Sequence, residues 1–267
     1  MAKLKDELQG LFNITNLEEP SKLIGLEFTC DQEWGMLTIQ QTQYIKNLLE
    51  KYLMQDGNAV STPLNPNMKL KFCKPSAELA SQCGKYASLI GSLMYTTIGT
   101  HPDIIYAVNK LCSFNQNPDL VHWITAKHVL YYLQGTKEPG IIYTKGSIKG
   151  ELYGYTNASF ISNHNLTLTS GNIFILNGGA IAWSLKKELS PMLSTTEAEF
   201  NSMAHTKKDI IWLQNLYEEI RYEPKKTTIL YDNNKYAITI IINAQFHKQA
   251  KYFNLKNLHM CYDSLPG

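Results

Sequence analysis

The sequence predicts a mixed α/β fold in two parts, and three observations carry that reading. Residues 85–135 hold consecutive stretches of three-to-four apolar spacing, residues 140–183 change to short alternating runs, and a long amphipathic stretch over 194–222 precedes the apolar run 228–231. Apolar residues three or four apart share one face of a helix, whereas alternation shares one face of a strand. Strands followed by alternating helix and strand argue a mixed sheet in the second half. A boundary is expected near residues 145–150, giving domains 1–147 and 148–267.

Residues 3–12 have helical spacing, and 23–30 and 36–40 alternate around Asp31-Gln32-Glu33-Trp34-Gly35, which predicts a hairpin. A helix is predicted over 42–54, with Tyr44, Ile45, Leu48, Leu49, Tyr52 and Leu53 as its stripe; 56–75, with three prolines and little period, reads as a loop. Helices are predicted over 85–99, 102–114 and 118–135, the last two opening on prolines that a first turn tolerates. Strands follow over 140–144, 151–156, 170–176 and 180–183, with Asn177-Gly178-Gly179 as a hairpin signal. Then come the helix 194–222, with Phe200, Trp212, Leu213, Leu216 and Tyr217 expected in the core, the strand 228–231, a short helix 235–243, and a final amphipathic piece from Phe253.

Apolar content of 44% and sixteen tyrosines describe a chain that buries a core. A net charge of +2 is too small to attract a polyanion as a whole, so nucleic-acid contact would need local basic patches. Arg221 is the single arginine, which leaves lysine point charges to meet phosphates. Five cysteines without a C-x-x-C pair fit free thiols, and His122 and His128 lack partners at zinc-ligand spacing. MAKLKDELQG lacks an apolar leader core and no run of eighteen apolar residues follows, so the expectation is an intracellular chain without a membrane span.

The chemistry-bearing segments are Leu193-Ser194-Thr195-Thr196-Glu197-Ala198-Glu199-Phe200 and Tyr231-Asp232-Asn233-Asn234. They put Glu199 inside a helix and Asp232 at a strand end, from which carboxylates converge on a metal. Taken singly, the glutamate reads equally as a solvated helix residue and Asp232 as a cap for the next helix. Their setting adds more. Leu89-Ile90-Gly91-Ser92-Leu93-Met94-Tyr95, Pro102-Asp103-Ile104, Tyr132-Leu133-Gln134-Gly135-Thr136, Gly178-Gly179-Ala180-Ile181-Ala182-Trp183, the two acidic segments and Phe246-His247-Lys248 follow one another in unbroken order. That series resembles the C-terminal part of copia-type LTR retrotransposon polyproteins, from the end of the reverse transcriptase through its thumb or connection region into an RNase H domain.

The resemblance implies an RNase H-like mixed five-stranded sheet with flanking helices, preceded by a small β-hairpin and a mainly helical thumb/connection-like region. It implies an ancestral Mg2+-dependent hydrolysis of the RNA strand of RNA/DNA hybrids, and four acids that fall on Asn157, Glu199, Asp232 and Asn254, with His247 at the family's histidine. Polymerase chemistry in the family needs two adjacent aspartates, and none occur here.

Two of the four acids are thus asparagine. An amide oxygen ligates a hard cation without supplying charge, and two unit charges ~4 Å apart at an effective dielectric near 20 are worth roughly 4 kcal/mol. The nuclease is therefore expected to be lost, with Glu199 and Asp232 as surviving acids and metal ligands. A non-catalytic nucleic-acid-binding or protein-interaction module, and an enzyme with a residual one-ion site, are the alternatives. Lys186-Lys187, Lys207-Lys208 and Lys225-Lys226 are candidates for weak contact with a hybrid. Against the family pattern, His101, Asn157, Gln249, Tyr252 and Asn254 each lie one transition mutation away, the pattern of a degenerate copy whose last helix is cut short.

Overall fold

The computed structural model describes residues 10–12, 21–65, 68, 70–72, 83–146, 151–160, 168–187, 195–222, 228–234, 238–239 and 258–262. The expected boundary at 147, most of the helix 3–12 and most of the short helix 235–243 lie outside them.

Strands β1 (Lys22–Leu23), β2 (Leu26–Asp31), β3 (Met36–Gln40) and β4 (Ile141–Thr144) form a four-stranded antiparallel sheet in that order, in place of a lone hairpin. At the β2–β3 turn Trp34 N–H donates to Asp31 Oδ1 at 3.0 Å, and Gly35 takes φ +60°. A two-stranded ribbon is marginal in water, and β4 completes it by pairing Leu37 with Tyr143 and Ile39 with Ile141.

Helices α1 (Thr42–Lys51), α2 (Cys83–Gly99), α3 (Ile105–Cys112, after a 3-10 turn at Pro102–Ile104) and α4 (Leu120–Thr136) pack around one apolar cluster. Its members repeat at three and four: Ile45, Leu48 and Leu49 on α1, Leu89, Ile90 and Leu93 on α2, Val129, Leu130 and Leu133 on α4. Helix α4 begins at Leu120, two residues later than expected. Asp119 caps it by accepting the Leu120 N–H at 2.7 Å, while His122 Nδ1 accepts the Asp119 N–H at 2.8 Å. This capping box requires an unprotonated Nδ1, and burial pushes the His122 pKa down although Asp119 opposes the shift.

Helix α1 ends in a left-handed residue that is not glycine. Leu53 has φ +55°, its N–H donates to the Glu50 carbonyl at 3.0 Å, and the Met54 N–H reaches the Leu49 carbonyl at 2.8 Å. Leu53 is 84% exposed and contributes no packing that glycine would lose. The left-handed conformation costs a branched residue about 1–2 kcal/mol, against about 0.5–1 kcal/mol for glycine's extra unfolded-state freedom. Leu53→Gly is therefore expected to raise the melting temperature, by up to about 1 kcal/mol of stability. A thermal melt checks this; a lower Tm would show that the turn is not strained.

The second sheet contains β5 (Tyr153–Phe160), β6 (Leu168–Leu176), β7 (Gly179–Lys187), β8 (Thr228–Asp232) and β9 (Leu258–Tyr262), in the order β7-β6-β5-β8-β9. β5, β6 and β7 are antiparallel neighbours, and β8 and β9 continue the sheet in parallel. The β6–β7 turn uses Asn177 (φ +52°) and Gly178 (φ +83°), as a two-residue hairpin wants. Residues 258–262 correct the expected final helix: they form the fifth strand, pairing Thr228 with Leu258 through Asp232 with Tyr262. A five-residue segment with apolar side chains at alternate positions satisfies a strand period, and the open edge of β8 supplies the ladder that decides it.

The long helix α5 (Thr195–Glu219) crosses one face of this sheet, burying Ala198, Met203, Ile210, Leu213 and Tyr217. Trp212 is not in that core but 60% exposed. Each residue advances about 100° around the helix, so the stripe that contains Leu213 leaves Trp212 on the solvent side. Edge strand β7 is covered by the helical part: Trp183 Nε1–H donates to the Thr97 carbonyl at 3.0 Å and Asn109 Nδ2–H to that of Leu185 at 2.9 Å. Cys30 and Cys112 are free thiols. Among the described residues no helix is long and apolar enough to cross a membrane.

Candidate metal centre

Glu199 lies on the sheet-facing stripe of α5, one turn before Ser202, and Asp232 ends β8 on the face that buries Thr228 and Leu230. The two carboxylates are 6% and 2% exposed. Each has one oxygen satisfied by the backbone: the Ala158 N–H donates to the Glu199 carboxylate, and the Asn234 N–H donates to Asp232 Oδ1 at 2.6 Å. The second contact makes Asp232 a turn-forming residue as well as a site residue. The remaining oxygens, Glu199 Oε2 and Asp232 Oδ2, are buried without a hydrogen-bond partner.

Such a pair resists ionisation. Burial, and then the neighbouring charge of Asp232, push Glu199 up to about 7. Burial likewise raises Asp232 to about 6, with the Asn234 N–H pulling the other way. A buried acceptor without a donor costs free energy, and either a proton or a cation between the two relieves it. Two hard, anionic oxygens suit one divalent ion. Among the described residues no group of three or more His, Cys, Asp or Glu comes together.

A layer of hydroxyls holds the pair in place. Thr156 Oγ1 on β5 lies 2.9 Å from both Ser202 Oγ and Thr206 Oγ1, and Ser202 Oγ–H donates to the Asn157 carbonyl at 3.2 Å. Glu199 and Ser202, three apart on the helix, thus grip the same peptide unit, 157–158. Sequence reasoning passed over these residues. Their signal was present, since Ser202 and Thr206 are polar positions inside an otherwise apolar helical stripe.

Of the other expected positions, Asn157 is exposed in the middle of β5, two residues beyond the last β5–β8 pair, Tyr155 with Tyr231. It touches α5 through its backbone carbonyl. It also borders a cleft of about 410 Å³ on the other side of the sheet, between the start of α3 and Tyr155, Trp183 and Leu185. Neither Glu199 nor Asp232 lines that cleft. Asn254 and His247 lie outside the described residues, as do Lys225 and Lys226. Lys186, Lys187 and Lys208 are exposed. His128 Nε2 lies 3.0 Å from the Thr62 carbonyl, and His101 is buried between Thr100 Oγ1 and the Thr136 carbonyl.

A sheet that begins antiparallel, ends parallel and carries its long helix on one face is an RNase H-like arrangement, and it follows a mainly helical region here. No protein-family model matches the chain. It is 33% identical over 261 residues to the retrovirus-related Pol polyprotein from transposon TNT 1-94 of Nicotiana tabacum, covering 96% of this chain and 19% of that protein. It is 30% identical over 210 residues to a Ty5-1 transposon protein of Saccharomyces cerevisiae, covering 78% of this chain and 67% of that protein. Among solved structures, the foamy viral protease-reverse transcriptase in complex with RNA/DNA hybrid is similar at 12% identity and a TM-score of 0.46, over 91% of this chain and 29% of that one. The assignment rests on the sequence relatives and the strand order. The chain belongs to the Pol polyproteins of copia-type retrotransposons, and spans about a fifth of the length of the tobacco relative.

Proposed function

We propose that Glu199 and Asp232 are the surviving half of a two-metal RNase H centre, able to hold one divalent ion but not to cleave a hybrid. The observation that carries this reading is the pair of orphaned oxygens, Glu199 Oε2 and Asp232 Oδ2, both buried, on carboxylates near enough for the Asp232 charge to raise Glu199, with no group of three such ligands among the described residues. When bound, divalent ions in such centres generate the attacking hydroxide and neutralise the leaving oxygen. The residues' own part is placement: Ser202 and Thr156 fix the helix against β5, Ala158 N–H orients Glu199, and Asn234 N–H orients Asp232.

Asn157 and Asn254 stand at the family's other two acid positions. Without them the centre lacks two negative charges, and each ~1.4 kcal/mol of lost stabilisation is a tenfold loss in rate. Incubation of an RNA/DNA hybrid with Mg2+ or Mn2+ is expected to give no cleavage. Turnover by the unaltered chain that disappears in Glu199→Gln would overturn the reading. Hybrid contact, in this proposal, is non-specific and lysine-mediated, through Lys186, Lys187 and Lys208.

A further inference from the structure

The helical part contains a second cleft, of about 450 Å³, that the carboxylate pair does not reach. Three helices deliver a lysine to it: Lys51 from the last turn of α1, Lys85 from α2 and Lys127 from the middle of α4. Two rings stand among them. Tyr52 and Trp123 meet edge-on with centroids 6.2 Å apart, Lys51 Nζ lies 5.4 Å from the Tyr52 centroid, and Lys127 Nζ lies 5.6 Å from that of Trp123. Lys51 Nζ also donates to Ser88 Oγ at 3.4 Å, and among the described residues no carboxylate lines the cleft.

Isolated surface lysines resting on rings are ordinary cation–π contacts. Here lysines from three separate helices line one concavity whose described lining carries no counter-charge and whose half-buried indole offers a flat apolar face. Like charges gathered this way repel, and an anion relieves them. The volume admits about one nucleotide. Ammonium groups meet phosphate oxygens as point charges, without the forked geometry that reads a particular group, and an aromatic face accepts any base. We propose that this cleft holds a single nucleic-acid strand without sequence preference, one unstacked base against Trp123 and the flanking phosphates on Lys51, Lys85 and Lys127. The site is independent of the metal centre.

The test is a titration with a labelled short oligothymidylate in EDTA, read by anisotropy and by tryptophan quenching over a range of salt. Binding is expected to weaken steeply with salt. Lys51→Gln/Lys85→Gln/Lys127→Gln is expected to weaken it at least about tenfold at low salt and to reduce the log–log slope by about 2, at ~0.7 per phosphate contact. Trp123→Phe is expected to retain most affinity while losing most of the quenching, and Trp123→Leu to weaken binding at least about fivefold with the slope unchanged. The titration is run in EDTA and reads strand binding alone, so a failed nuclease reading leaves this one standing. An unchanged slope and affinity in the triple lysine variant, its fold verified by circular dichroism, would overturn the proposal. So would quenching that survives in Trp123→Phe, or inorganic tripolyphosphate displacing the strand at equal phosphate concentration, which would make the cleft an anion site with no base in it.

Discussion

Glu199→Gln is expected to stabilise the protein by about 3 kcal/mol near pH 8 and by almost nothing near pH 4. Burial and the Asp232 charge raise Glu199 from 4.5 to about 7, so the native state binds more protons than the unfolded chain between those values. Stability from this group is fully present below about 4.5 and is lost as pH rises through about 7. Asp232, raised from 3.8 to about 6, acts in the same direction. Glutamine removes the charge that cannot be solvated, keeps an oxygen for the Ala158 N–H, and places a donor where Oε2 has no partner. His122 opposes this trend at the acid end, because its depressed pKa withdraws stability as pH falls below its unfolded value. Urea unfolding of parent and variant at the two pH values decides the matter. Magnesium should stabilise the parent near pH 8 and leave the variant unmoved, by mass action on a site that only the folded state possesses. A variant that is less stable near pH 8 would mean that the two carboxylates are not in conflict.

Phe174→Ala is expected to cost about 3–5 kcal/mol. Phe174 is fully buried on β6, directly across from Gly154 on β5, and belongs to the cluster that contains Met203, Leu213 and Leu230. The ring occupies the space a side chain at 154 would take: a Cβ there would meet Phe174 Cδ1 at 2.7 Å and the Ile173 carbonyl oxygen at 3.2 Å. Gly154→Ala is therefore expected to cost about 1–3 kcal/mol through overpacking. Combined with Phe174→Leu, the two losses should fall short of their sum by at least ~0.5 kcal/mol, because the smaller side chain vacates the contested volume. Full additivity in chemical denaturation would separate the two positions energetically and refute this account of the strand glycine.

Much of this architecture was legible because it repeats. The spacing of Ile45, Leu48 and Leu49 and the positions of Leu213 and Tyr217 reveal which helix faces are buried, and the structure buries those side chains, while the alternation from Met36 to Gln40 marks a strand that is half-buried along its length. Glu199 was legible only through its place in the ordered series of family segments, since taken singly it reads as a solvated helix glutamate. Trp212 was misread because hydrophobicity alone was counted and the 100° step was not. The strand Leu258–Tyr262 was misread because five residues carry too little period to tell strand from helix, and the edge that captures them lies about thirty residues earlier in the chain.

The sequence by itself determined membership and inventory: the order of most helices and strands, the ancestry spelled by its ordered segments, and the presence of Glu199 and Asp232 within them. Local periodicity and residue identity suffice for these, since each is a property of a short stretch. Only the tertiary structure decided that Glu199 Oε2 and Asp232 Oδ2 are buried without partners, that Thr156, Ser202 and Thr206 form one hydroxyl layer, and that Lys51, Lys85 and Lys127 surround Trp123. Those facts depend on which distant segments are brought within a few ångströms. Burial and charge interaction are set by that separation in space, and separation along the chain does not encode it.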